Sequence, residues 1–131
     1  AINLYLVRKY GAGHAIGLPS LEEEALAMQW SFWVMTEIEK PLLTIMLHTV
    51  GVRSAEEAVL AACRAELDRP LAVLEAHLAD RQWLLGDRFT AADLNVASVL
   101  IWARTGKLDL TRYPGVAAWL KRCMGRPAFR G

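Results

Sequence analysis

An all-α bundle of about five or six helices is the fold this sequence predicts, and three observations carry that expectation. Every long segment repeats its apolar residues at the helical period, and none shows sustained alternation. Ser20-Leu21-Glu22-Glu23, Ser54-Ala55-Glu56-Glu57 and Thr90-Ala91-Ala92-Asp93 each read as a capping box, the signature of a helix start. The segment from Ala91 to Trp102 is apolar almost all round, interrupted only by Asp93, Asn95 and Ser98. A helix without a wet face belongs in the middle of a bundle.

Taken in order, Ile2 to Tyr10 forms a short helix stopped by Gly11, with Ile2, Leu6 and Tyr10 on one stripe. It opens at Ala1 without a cap, as if the chain begins inside an element. Residues 12–19 are a connector. The Ser20 box opens a helix running towards Gly51, which Pro41 should bend because it lacks a backbone donor and crowds the preceding turn. Between Leu26 and Leu47 this helix is apolar over far more than one stripe, with Trp30, Phe32, Trp33 and Met35 among its residues. One face packs on the bundle; the other calls for a second domain, a second subunit or a ligand. The Ser54 box starts a long helix to about Ala79, with Leu60, Cys63, Leu67, Leu71, Leu74 and Leu78 as its stripe and a kink at Pro70. Trp83 to Asp87 is a turn. Phe89 follows as one half of a hydrophobic staple with Leu94, around the Thr90 cap and the Asp93 carboxylate. Buried in the bundle, this helix has no solvated cap to fall back on, and loss of such a cap costs about 1 kcal/mol. Lys107 to Tyr113 is a loop, and Pro114 suits the first position of the helix whose face is Val116, Trp119, Leu120, Cys123 and Met124.

At 131 residues the chain fits one domain, and 54% hydrophobic with 22% charged residues reads as compact. Fifteen basic against fourteen acidic residues, a net +1, leave no electrostatic footprint for nucleic acid. Glu37, Glu39 and Lys40 interrupt the longest apolar run, so no membrane span is expected. Cys63 and Cys123 sit singly in apolar stripes and read as buried thiols of a reducing compartment, with the cytoplasm as default. His14, His48 and His77 lack metal-ligand spacing, and Gly11-Ala12-Gly13 follows no strand, so neither a metal site nor a phosphate loop is expected. No residue stands in a recognisable nucleophile context, so no catalytic residue is assigned. Asp93 is explained by its capping role. Glu37 and Glu39, two residues apart, do not share a helix face and make an improbable carboxylate pair. Glu37, set among large apolar residues, is a candidate for a functional contact, with a solvated or interface glutamate as the alternative.

At this point the residues resemble a known family. Gly86-Asp87-Arg88-Phe89-Thr90-Ala91-Ala92-Asp93 is similar to the capping-box segment of cytosolic glutathione transferases, in particular the bacterial type. Tyr113-Pro114-Gly115-Val116-Ala117-Ala118-Trp119 and Arg126-Pro127-Ala128-Phe129 resemble that family's closing helix. Ala1 to Leu6 with Lys9-Tyr10-Gly11 resembles the last helix of its thioredoxin-like domain. The resemblance therefore implies three parts: residues 1–11 as the last helix of an otherwise absent thioredoxin-like domain, residues 12–19 as linker, and residues 20–131 as the all-α C-terminal domain.

The same resemblance implies a function. The parent protein would conjugate glutathione, as co-substrate, to small hydrophobic electrophiles. The activating residue would lie in the absent domain, leaving this chain inert alone. A Thr-Glu-Leu-His-Lys stretch that contacts glutathione in bacterial beta-like members matches Thr36-Glu37-Ile38-Glu39-Lys40, where Glu39 departs by placing a carboxylate for a ring. Thr36, Glu37, Ile38 and Glu39 are thereby candidate glutathione contacts, and Trp33 and Lys40 candidate electrophile contacts. A homodimer is implied, and exposed apolar surface from Leu26 to Leu47 is expected to drive self-association. The alternative is a non-catalytic interaction module of the kind appended to translation factors and tRNA synthetases.

Overall fold

The structure, a computed structural model, describes residues 1–130. Eight helical segments follow one another among them: α1 (Ile2–Tyr10), α2 (Leu21–Glu37), α3 (Glu39–Thr49), α4 (Glu57–Leu78), α5 (Ala91–Leu100), α6 (Trp102–Thr105), α7 (Pro114–Met124) and α8 (Pro127–Arg130). The bundle expected from the sequence is there, more finely divided. Single residues, Ile38 and Ile101, break two of the predicted helices, and Pro127 opens a further turn after Gly125. The nearest thing to β-structure among the described residues is an isolated bridge in which Trp83 and Gly86 exchange backbone hydrogen bonds.

α5 is the hub. It packs against α1, α2, α3 and α7, and Ala91, Ala92, Val96, Val99 and Leu100 are buried there. Its three polar interruptions now have distinct explanations. Asp93, fully buried, accepts four hydrogen bonds: Oδ1 from the Leu84 amide (2.9 Å) and Trp119 Nε1 (2.9 Å), Oδ2 from the Thr90 amide (2.9 Å) and hydroxyl (3.2 Å). The capping box is present, and the carboxylate does more than cap, since it also ties the 83–86 turn and α7 to α5. Asn95 bridges helices: it accepts from Asn3 of α1 (2.8 Å) and donates to Ser31 of α2 (2.9 Å). Ser98 is exposed and bonds back to the Asn95 carbonyl, as serines within helices commonly do.

The other two boxes fare differently. Ser20 does cap α2, accepting the Glu23 amide at 3.2 Å. The Glu23 carboxylate, however, reaches Arg88 rather than back to the cap. The Ser54 box does not form: α4 starts at Glu57 with Glu56 in an extended conformation and no side-chain cap. Ser54 stands two residues too early for its hydroxyl to meet the first turn. The entry is held instead by His48 Nδ1, which accepts the Ala55 amide (3.2 Å), and by the Arg64–Glu57 ion pair (2.7 Å). Pro70 lies buried inside α4 without ending it.

α1 also presents a different face from the one expected. Ile2, Leu6 and Tyr10 point outward, while Val7 is buried and Asn3 makes the bond to α5. The connector after α1 is clamped by Arg88, whose Nη1 donates to the carbonyls of Ala15 (2.9 Å) and Gly17 (2.7 Å).

α7 is capped from a distance. Glu75 of α4 accepts the Gly115 amide at 2.9 Å and the Val116 amide at 2.8 Å, putting a carboxylate on a helix N-terminus where the dipole favours it. A Cβ at Gly115 would lie 3.0 Å from that carboxylate, tight enough to push Glu75 off the amides it caps. Gly115→Ala should therefore cost about 1 kcal/mol, similar to loss of a cap. Thermal unfolding checks this, and the double variant with Glu75→Ala should show less than the sum of the two losses.

Candidate functional site

The residues singled out from the sequence gather at the joint between α2 and α3. Pro41 explains why the joint exists and why it falls where it does. A proline in a helix interior removes a hydrogen bond and crowds the carbonyl four residues earlier, but in a first turn its missing N–H costs little. Breaking the helix at Ile38 makes Pro41 the third residue of α3. The predicted bend thus appears as a break three residues upstream, at Ile38 with φ −117° and ψ −40°. Ile38 remains tied to both sides, its amide to Val34 (3.1 Å) and its carbonyl to the Leu42 amide (3.1 Å).

Around this joint Thr36, Glu37 and Lys40 are exposed, Glu39 is half-buried and Ile38 is fully buried. The Ile38 side chain accordingly belongs to the core. The Thr36 hydroxyl donates to the Trp33 carbonyl (3.3 Å) and to the Glu37 carboxylate (3.4 Å). Neither Glu37 nor Glu39 takes part in an ion pair among the described residues. Half-buried Trp33 meets Trp30 edge-on at 5.0 Å, and Trp30 lies against His77 at 4.6 Å. His77 in turn bonds the Leu84 carbonyl through Nε2 (2.8 Å), so the aromatic pair is anchored to the same turn that Asp93 holds.

The apolar excess of α2 and α3 divides as periodicity demands. Ala27, Val34, Ile38, Leu42 and Ile45 are buried. Leu21, Met28, Phe32 and Met35 are exposed, Phe32 at 68% and Met35 at 53%. These four with Ala25 fall at intervals of four and three, forming one stripe along α2. α1 adds exposed Ile2, Tyr5, Leu6 and Tyr10. Exposed apolar side chains thus stand on both α1 and one stripe of α2.

Several residues that matter drew no role from the sequence. Arg88 sits inside the Gly86–Asp93 motif, yet nothing local announces its partners, which lie 65 to 73 residues upstream. Tyr113 donates to the Asp68 carboxylate (2.8 Å), which holds that carboxyl below its ordinary value, and Arg112 adds an ion pair (3.1 Å). An apolar cavity of about 460 Å³ lies between α5 and the chain end, lined by Phe89, Leu94, Ile101, Met124 and Phe129, with Cys123 on its wall. Arg126 stacks 3.6 Å over the Phe89 ring there. Among the described residues no three His, Cys, Asp or Glu side chains gather as a metal site would need, and no helix is long and apolar enough to cross a membrane.

The class of fold is thus an all-α bundle centred on a capping-box helix, with a broken, half-exposed apolar helix beside it. Comparison with known proteins is specific: the glutathione S-transferase C-terminal domain matches over residues 57–122, and the chain belongs to that family. It is 36% identical over 97 residues to the glutathione S-transferase-like protein LUC7 of Fusarium sp., covering 72% of this chain and 44% of that protein. It is 30% identical over 112 residues to elongation factor 1-gamma of Sus scrofa, covering 83% of this chain and 26% of that one. Among solved structures, a glutathione transferase from Methylococcus capsulatus superposes with a TM-score of 0.79 at 29% identity, over 98% of this chain and 62% of the other. The chain thus spans less than half the length of either of the two relatives by sequence.

Burial, reinforced by the Asp93 carboxylate, pushes the Cys123 thiol up to about 12. The folded protein keeps a proton that the unfolded chain gives up near pH ~8.5. The thiol's contribution to stability is therefore complete below that pH and is lost as pH rises towards the folded value. Under native conditions at neutral pH, iodoacetamide should label Cys123 far more slowly than a thiol of the unfolded chain; labelling at the unfolded rate would contradict the burial and the neutral thiol.

Proposed function

We propose that this chain is the helical, substrate-facing half of a cytoplasmic glutathione transferase, whose parent conjugates glutathione to small hydrophobic electrophiles in detoxification. The observation that carries the reading is the exposed apolar stripe of α2, which ends at the joint holding Trp33 and the exposed Thr36, Glu37 and Lys40. Such a surface suits both an apolar electrophile and a second apolar surface. In this reading Glu37, in no ion pair among the described residues, meets the glutathione ammonium, and Thr36 and Glu39 supply further polar contacts. Ile38, locked in the core, holds them in place. Trp33 and Lys40 face the electrophile. A thioredoxin-like domain elsewhere in a longer protein lowers the thiol pKa and so supplies the nucleophile. The chain by itself then binds and shapes but does not catalyse.

The apolar stripe also supports a homodimer. Light scattering on the purified chain should find self-association that weakens on Phe32→Glu; a clean monomer at high concentration counts against it. Two kinetic tests address the rest. The chain alone should conjugate a chloro-dinitrobenzene electrophile no faster than background. In the full-length protein, Glu37→Gln should raise KM for glutathione about tenfold with kcat little changed, as expected for lost uniform binding; an unaltered KM removes the contact.

A second reading, a non-catalytic interaction module, is favoured by the kinship with elongation factor 1-gamma. Under it the full-length protein would lack conjugating activity yet co-purify in a stoichiometric complex. Activity of the full-length protein separates the two.

A further inference from the structure

We propose that Pro41 is a positioning residue for glutathione: by breaking α2 from α3 it sets how Thr36 and Glu37 on one side, and Glu39 on the other, meet the peptide. The inference rests on the reading of those residues given above, and it goes beyond it by assigning their geometry to a buried ring that touches no ligand.

In an unbroken helix, positions 37 and 39 point about 200° apart and cannot address one small molecule. The joint removes that restriction. Ile38 departs from a helical φ near about −63° to −117°, which redirects α3 relative to α2. Two features show that this is a held geometry rather than a loose hinge. Hydrogen bonding continues on either side through Ile38, to Val34 and from Leu42. In addition, Ile38, Pro41, Leu42 and Ile45 are all buried, so the core fixes the direction of the first turns of α3. The ladder between these two bonds is interrupted, the Glu39 amide not reaching the Met35 carbonyl, and at position 41 the interruption is obligatory. With no N–H at position 41, the Glu37 carbonyl has no donor four residues on, and the pyrrolidine ring crowds it. The break therefore falls inside the Thr36–Lys40 stretch because of chemistry three residues downstream of Ile38. A residue with an N–H at position 41 would let α2 and α3 fuse, returning Glu37 and Glu39 to opposed faces.

The test uses the full-length protein with Pro41→Ala and with Pro41→Val, the latter keeping apolar bulk at a buried site, alongside Glu37→Gln. Glutathione KM, kcat and thermal midpoint are measured for each, and amide exchange at position 41 reports whether the helix has fused. The expected result is a glutathione KM raised about tenfold in at least the Pro41→Val protein, with kcat within about twofold and no loss of thermal stability. A purely structural role would shift the thermal midpoint and leave KM alone, and that outcome overturns the proposal whether or not the helix fuses. If Glu37→Gln raises KM and the Pro41 variants do not, only the role of the joint fails. If Glu37→Gln also leaves KM unchanged, the glutathione reading of the stretch fails with it.

Discussion

Four donors converge on the Asp93 carboxylate in a fully buried setting, and the arrangement of the bundle follows from satisfying them. A buried carboxylate is costly unless nearly every lone pair has a partner. Here the partners come from three separate places: the turn at Leu84, the cap at Thr90 and the Trp119 indole of α7. None can move without orphaning a charge. The carboxylate thus specifies where the turn sits, where α5 begins and how α7 crosses it. Trp119, fully buried, brings the largest side chain of the core to the same point.

From that anchor, restraint passes outward by short links. Leu84 is bonded through its amide to Asp93 and through its carbonyl to His77, and the His77 ring supports Trp30, which supports Trp33. On the other flank, Arg88 carries the connector after α1 and the start of α2. The candidate site is built on rigid elements in this sense, although its polar residues stand in water. α2 meets two demands that one helix face cannot, core packing on one side and exposed apolar surface on the other. The resulting all-round hydrophobicity is what made the segment look unusual as sequence.

Much of the fold was legible because the signals were local. Capping at Ser20 and Thr90, the proline at the start of α7 and the stripe from Val116 to Cys123 depend on residues within one or two turns of each other. What stayed hidden was non-local or a matter of register. Glu75 caps a helix forty residues away, Arg88 reaches back to Ala15 and Gly17, and Asn95 chooses partners on two other helices. Ser54-Ala55-Glu56-Glu57 has the composition of a capping box but misses the helix start by two residues, since His48 and Arg64 hold the chain in another way. The α1 stripe was inverted because a short helix with apolar residues on most sides offers little contrast, and Asn3 decided the matter through a partner at Asn95. For the site, burial of Ile38 could not be read from its neighbours, whereas the consequence of Pro41 could be read in kind but not in position.

The most direct measurement of this account is the unfolding free energy of Asp93→Ala by denaturant titration. Removal of the carboxylate leaves the Leu84 and Thr90 amides and the Trp119 indole without acceptors in a dry interior, at about 1–3 kcal/mol for each orphaned group. The account predicts a loss of about 3 kcal/mol or more, with near-ultraviolet signals showing Trp119 displaced. A loss below about 1 kcal/mol with Trp119 undisturbed would mean that the bundle is held by apolar packing alone, contradicting it.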